Sequence, residues 1–263
     1  MGRITDTVKH LLLINVVFWI GALTIQEGKL FNDLFNYHFP LNDMFRPWQI
    51  ISHMFMHANY VMEQGGGTTI YYQHILFNMF GLWMFGTPVE NYLGKKKFIF
   101  FYFSAGLGAL LIHGGWDYIQ FKSIVNEITS AGGLTQQEVL SIMDSGNFER
   151  FPNGVFSQEK WDSFSQTYYG TLAGASGALM GIMAGFAMAF PDNKLMMIFF
   201  PVPIKAKYFI PGIIALDLFS ALTGISIFSP SNTAFLAHVG GALTGFIIMW
   251  YWKKNSFNQH RWD

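Results

Sequence analysis

The chain contains no cysteine and few charged residues, and its acidic and basic side chains balance at 16 each. Without cysteine there are no disulfides, no thiol nucleophile and no thiolate metal site, and the redox compartment stays undetermined. Without a basic surplus there is no electrostatic footprint for nucleic acid. Charged residues make up 12% of 263, against about 25% in an ordinary soluble domain. Hydrophobic residues supply 51% and aromatics 18%. The mean hydropathy of +0.28 is modest for such a composition. Apolar spans diluted by long polar loops account for both.

A membrane helix needs about 20 mostly apolar residues. Six segments approach that: about His10–Ile25, Tyr71–Val89, Phe98–Gly114, Thr171–Phe190, Tyr208–Phe228 and Thr233–Trp252. The first follows Arg3 and Lys9 as a signal peptide would, but its run is long and no small-x-small cleavage site follows, so it reads as a retained helix. The expected fold is an all-α polytopic bundle of six spans forming one membrane domain over residues 1–263. External loops cover about 27–70 and 115–170. The first loop is rich in aromatics suited to an interface, with short amphipathic helices expected. The second holds LTQQEVLSIM and SQEKWDSFSQTYY, two further amphipathic helices, but is too short for a domain with a large core.

Basic residues concentrate at the N-terminus (Arg3, Lys9), after the second span (Lys95, Lys96, Lys97), after the fourth (Lys194, Lys205, Lys207) and in the tail (Lys253, Lys254, Arg261). The opposite side carries Lys29, Arg46, Lys122, Arg150 and Lys160 over far more loop. The positive-inside rule places both termini in the cytoplasm. A compact plan without a transit peptide points to a bacterial cytoplasmic membrane.

Polar groups at membrane depth are costly and mark function by default. Here they are His74, Asn78, Ser176, Asp217 and His238. Taken singly each has a bland reading: Ser176 as packing filler, His238 as a satisfied histidine or relay member, His74 and Asn78 as cross-links, Asp217 as a cap or transporter site. Together they converge. His74 and Asn78 share one helical face at i and i+4. Gly177, Gly181 and Gly185 form a bare stripe beside Ser176, and Gly241 and Gly245 follow His238 on a similar face. Matching stripes let two backbones approach closely, bringing a serine hydroxyl within reach of an imidazole base. At a helix start the Ser176 and Ala175 amides are free to bind an anion, with His74 and Asn78 adding donors. The set describes acyl transfer.

These residues resemble the rhomboid family of intramembrane serine proteases. The likeness covers about His10 to Trp252 apart from the loop insertions. It rests on Gly174-Ala175-Ser176-Gly177, on His238 with Gly241 and Gly245, on His74-x-x-x-Asn78, and on RPWQIISHMFMHANY (46–60), with His57 at a position where the family often has histidine. It implies a dyad, Ser176 as nucleophile and His238 as base and then acid, with an oxyanion hole of His74, Asn78 and the Ser176 amide. It implies no cofactor and no metal, and as partners membrane lipid and the transmembrane segments of single-span proteins. Helix-weakening residues near the cut would ease cleavage, and the fifth span with Phe228–Phe235 would be gate and cap.

The departures are an insertion at 61–73 with a triple glycine, the long loop at 115–170, Met180 where an aromatic often packs on the histidine, and no Trp-Arg pair in the first loop, where Trp48 follows Pro47. A hydrolase elbow fails because Ala178 stands where glycine is required. His53 and His57 lack the glutamate of a His-Glu-x-x-His metalloprotease and read as structural. Asp217 is left structural, below the level of His238. A catalytically inactive relative acting as a membrane scaffold is the main alternative, although such proteins lack the serine or histidine; a transporter, with no inverted repeat visible, is weaker.

Overall fold

A computed structural model describes residues 3–62, 67–151, 154, 157–197, 200–227 and 233–258. The chain is mostly helical, with three short two-stranded pairings among the described residues, and the all-α class holds.

The first helix, α1 (Asp6–Thr24), has no side-chain cap of its own. Its free N–H groups are met from elsewhere. The buried carboxylate of Glu90 accepts from the Val8 amide at 3.1 Å and the Thr7 amide at 3.4 Å. An anion belongs at a helix N-terminus for this reason. In the first loop, α2 (Lys29–Phe35), strand β1 (Tyr37–His38), α3 (Gln49–Ser52) and strands β2 (Tyr60–Met62) and β3 (Thr68–Ile70) follow, the last two pairing antiparallel. Residues 63–66 of the glycine-bearing insertion lie outside the described residues.

The second expected span is a continuous helical run made of α4 (Gln73–Gly81), a π-turn (Leu82–Gly86) and α5 (Thr87–Leu93). Pro88 supplies no N–H, and a widened turn beside it absorbs the missing bond.

The third expected span ends far later than the apolar run. Helix α6 (Lys95–Gly132) has 38 residues, about 57 Å at the α-helical rise, well beyond a bilayer core of about 30 Å. Its extension presents Phe121, Val125 and Ile128, which α7 (Gln136–Ser145) and α8 (Gln158–Tyr169) cover with Val139, Ile142, Met143, Phe164 and Tyr168. Phe121 stacks on Phe164 with ring centroids 5.5 Å apart. A capping box of Thr135 and Glu138 opens α7, and Ser157 caps α8. The second loop therefore builds a small apolar core, completed by Phe39 of the first loop, where the sequence suggests only surface elaboration.

Strand β4 (Thr171–Leu172) pairs with β1, and α9 (Ser176–Ala189) begins only after it, so the fourth expected span is a 14-residue helix. Strands β5 (Lys194–Met197) and β6 (Phe200–Lys205) form a hairpin ahead of α10 (Ala206–Thr223), and α11 (Phe235–Asn258) closes the chain. Of the segment proposed as gate and cap, residues 228–232 with Pro230 lie outside the described residues. Among the described residues four helices, α1, α6, α10 and α11, are long and apolar enough to cross a membrane. Leu13, Val17, Leu111, Leu222 and Ile247 face outward from them, a distribution suited to lipid.

Helix α9 is buried from Gly177 to Phe186 between α6 and α11. A Cβ built on Gly241 would lie 1.9 Å from the Gly177 carbonyl oxygen, and one on Gly245 2.5 Å from that of Gly181. On the other side, a Cβ on Gly177 would meet the Ala109 methyl at 2.5 Å and one on Gly181 the Ala105 methyl at 2.4 Å. Small residues let these backbones touch.

Adding one methyl should be enough to show this. Gly241→Ala is expected to destabilise by about 1–3 kcal/mol through overpacking. Gly212→Ala on α10, where nothing lies within 4 Å, should stay within about 0.5 kcal/mol. Unfolding temperature in detergent is the measurement.

Candidate active site

Ser176 is the first helical residue of α9, with Ala175 as its N-cap and the first turn closed by the Leu179 amide on the Ala175 carbonyl at 2.9 Å. A helix start leaves its leading amides unsatisfied, and among the described residues those of Ala175 and Ser176 have no backbone partner. The preceding Gly174 sits at φ +135°, a region closed to most side chains. Its amide donates to the His53 carbonyl at 2.9 Å, anchoring the turn to the first loop. A Cβ there would lie 3.3 Å from His74 Nε2 and 3.5 Å from Ser176 Oγ, so His74 and Ser176 flank one small space that glycine leaves open.

His74 is oriented from the far side. The Ala58 amide donates to its Nδ1 at 3.0 Å. An Nδ1 that accepts puts the proton of the neutral ring on Nε2, making that nitrogen a donor beside Ser176. Asn78 is buried one turn on and spends one amide hydrogen on the His74 carbonyl at 2.9 Å. Among the described residues its buried carbonyl oxygen has no hydrogen-bond partner.

On α11, His238 stands at the level of Ser176. A Cβ on Gly177, the residue after the serine, would be 3.6 Å from the carbonyl oxygen of Ala237, the residue before the histidine. Ser176, His238, His74 and Asn78 line one cavity of about 880 Å³, together with His53, His57 and Gly174. The hydroxyl and imidazole do not bond directly in this geometry; such contacts often tighten only with substrate in place. Met180 is buried within the apolar core below. Among the described residues no group of three His, Asp or Glu is placed to hold a metal ion.

One placement corrects the sequence reading. Asp217 does not lie below the level of His238: its Oδ2 lies 2.8 Å from His238 Nδ1. Helical counting put it too deep because α10 carries it alongside the start of α11.

A model of the family described as the Rhomboid domain matches residues 45–118 and 152–255. The chain belongs to the rhomboid family. The match leaves out 119–151, where α6 outruns the membrane and α7 folds back on it. Among relatives, this rhomboid is 27% identical over 179 residues to the mitochondrial presenilin-associated rhomboid-like protein of Rattus norvegicus, covering 68% of this chain and 33% of that protein. It is 23% identical over 181 residues to the mitochondrial Rhomboid protein 1 of Saccharomyces cerevisiae, 69% of this chain and 38% of that one. With the Rhomboid protease AarA of Providencia stuartii it shares 25% over 207 residues, 76% of this chain and 54% of AarA. The chain thus spans between a third and about half of these relatives.

Two supports of the site had no signal strong enough to single out. Asn15, a lone amide in the apolar α1, accepts from His57 Nε2 at 2.8 Å and donates to the Leu11 carbonyl at 2.7 Å. His57 in turn packs edge-on against His74, with centroids 5.1 Å apart. Gln49, fully buried in the first loop, accepts from the His38 and Arg46 amides and donates to the Asp33 and Met44 carbonyls. His53 and His57 keep a structural role. His53 Nδ1 bonds the Gln49 carbonyl at 2.8 Å.

Burial, the largest cause, pushes the two loop histidines well below the usual 6.5, His53 to about 4 and His57 to about 3, with His74 adding to the effect on His57. Between about pH 6.5 and 4 the unfolded chain takes up protons that the folded chain refuses. Stability from this source is complete above pH 6.5 and declines as the pH falls through that window. Thermal unfolding in detergent should show a loss on the order of 2 kcal/mol per histidine from pH 7 to pH 5. His57→Gln should flatten the slope.

Proposed function

We propose that this rhomboid is an intramembrane serine endopeptidase, acting as one membrane domain on transmembrane segments of single-span proteins. The observation that carries the reading is the single cavity in which Ser176, at a helix start, shares its space with the His74 donor and lies level with His238.

The chemistry follows from those positions. His238 Nε2 takes the Ser176 proton as Oγ bonds to the scissile carbonyl carbon. The resulting oxyanion accepts from the Ser176 amide, with the Ala175 amide, His74 Nε2–H and the remaining Asn78 hydrogen as further donors. The imidazolium then protonates the leaving nitrogen, the C–N bond breaks, and the acyl group stays on Oγ. Water attacks that ester, giving one proton to His238, which returns it to Oγ as the acid product leaves. A helical substrate has its carbonyls hydrogen-bonded along its own axis, so the segment must unwind before it can present one.

The basic residues of the 2–3 and 4–5 loops and of the tail favour a cytoplasmic location for both termini, with the cavity opening on the other side. AarA, a relative, is named a rhomboid protease and comes from a bacterium, in line with a bacterial inner membrane. An inactive scaffold would have no need of a serine and histidine on two helices in backbone contact.

A fluorophosphonate that traps nucleophilic serines separates the readings. Wild type in detergent should label, and Ser176→Ala and His238→Ala should each lower labelling and substrate cleavage by about 10³-fold or more. Wild-type labelling in Ser176→Ala would overturn the proposal.

A further inference from the structure

Asp217 is an unusual passenger for α10. It is a carboxylate on a helix otherwise apolar from Tyr208 to Leu222 apart from Ser220, and its side chain is only 9% exposed. A buried carboxylate without a partner costs several kcal/mol, so its partner identifies its role. The lysines at the start of α10 are ten or more residues away and engaged there: Lys205 and Lys207 both pair with Asp192 at 3.0 Å. What Asp217 faces is His238, whose side chain is 14% exposed, at 2.8 Å and through Nδ1.

The choice of nitrogen matters. An ionised carboxylate can only accept, so the proton of a neutral His238 sits on Nδ1 and its lone pair on Nε2. Nε2 is then the ring nitrogen available to Ser176. When the ring takes the serine proton it becomes a cation in a poorly solvated site, and the carboxylate behind it is the one negative side chain bonded to it.

We infer that Asp217 is a positioning residue for His238, completing a Ser176–His238–Asp217 relay in place of a two-residue one: it fixes the tautomer and ring orientation of the base and stabilises the imidazolium formed in each half-reaction. The inference rests on the peptidase reading above. The carboxylate keeps its charge throughout, and no proton is transferred to it.

The test uses the full chain in detergent with a single-span protein substrate, comparing wild type, Asp217→Asn, Asp217→Glu and Ser176→Ala. Asp217→Asn preserves size and removes the charge. It should lower kcat by about 10²–10⁴-fold, leave KM within about threefold, and slow fluorophosphonate labelling by the same factor as kcat. Its unfolding temperature should stay close to wild type. Asp217→Glu, which restores the charge, should recover part of the lost kcat.

The inference fails if Asp217→Asn turns over within about threefold of wild type. It fails equally if Asn and Glu lose activity alike and in step with a lowered unfolding temperature, since packing alone would then be at stake. Failure of the peptidase reading looks different: wild type would neither cleave nor label, or Ser176→Ala would do both, and the relay would fall with it.

Discussion

The backbone contact between α9 and α11 is the constraint on which the rest depends. Gly177 meets Gly241 and Gly181 meets Gly245, so one register runs along both helices and they lie parallel. In a bilayer no hydrophobic force presses helices together, and close packing of small residues takes its place. The same contact sets the chemistry, because Ser176 and His238 each stand beside the first residues of their stripes. Any side chain large enough to separate the stripes would also part the hydroxyl from the imidazole.

The opposite wall comes from the first loop. Gln49 gathers the loop backbone, the His53 carbonyl holds the Gly174 amide, and Asn15 on α1 fixes His57 against His74. The Ala58 amide then sets which nitrogen of His74 donates. Each link satisfies a buried polar group, which is why so many such groups are tolerated near a membrane. Most of the resulting geometry is directed at one point, the space beside Gly174.

Much of this could be read from the residues, and the parts that could not share a cause. The all-α class and the glycine stripes were legible because each depends on period and composition within one segment, although only four of the six expected spans are helices long and apolar enough to cross a membrane among the described residues. So were the two amphipathic stretches that became α7 and α8. The extent of α6 was not, since the residues past Gly114 are helical only because Phe121, Val125 and Ile128 find cover from helices formed later in the chain. Asp217, Glu90 and Asn15 were underread for the same reason. A lone polar residue in an apolar helix shows that it needs a partner, and the partner lies on another helix whose register the sequence does not disclose.

Helices α7 and α8 pack on the far end of α6 together with Phe39 of the first loop, and of the two only α7 falls outside the family match. Their apolar core and that of the membrane bundle have no buried residue in common, and α6 is the rod that runs from one into the other. The family match omits 119–151 yet spans the segments carrying His74, Asn78, Ser176, Asp217 and His238. The α7–α8 layer is tied to the first loop as well: Asn42 donates to the Tyr168 carbonyl at 2.9 Å, the Tyr168 hydroxyl donates to the Leu41 carbonyl at 3.1 Å, and β1 pairs with β4, three residues ahead of Ala175, at the entry of the serine helix. The turn ahead of Ser176 is thus held from both sides, by the β1–β4 pairing and by the His53 carbonyl on the Gly174 amide.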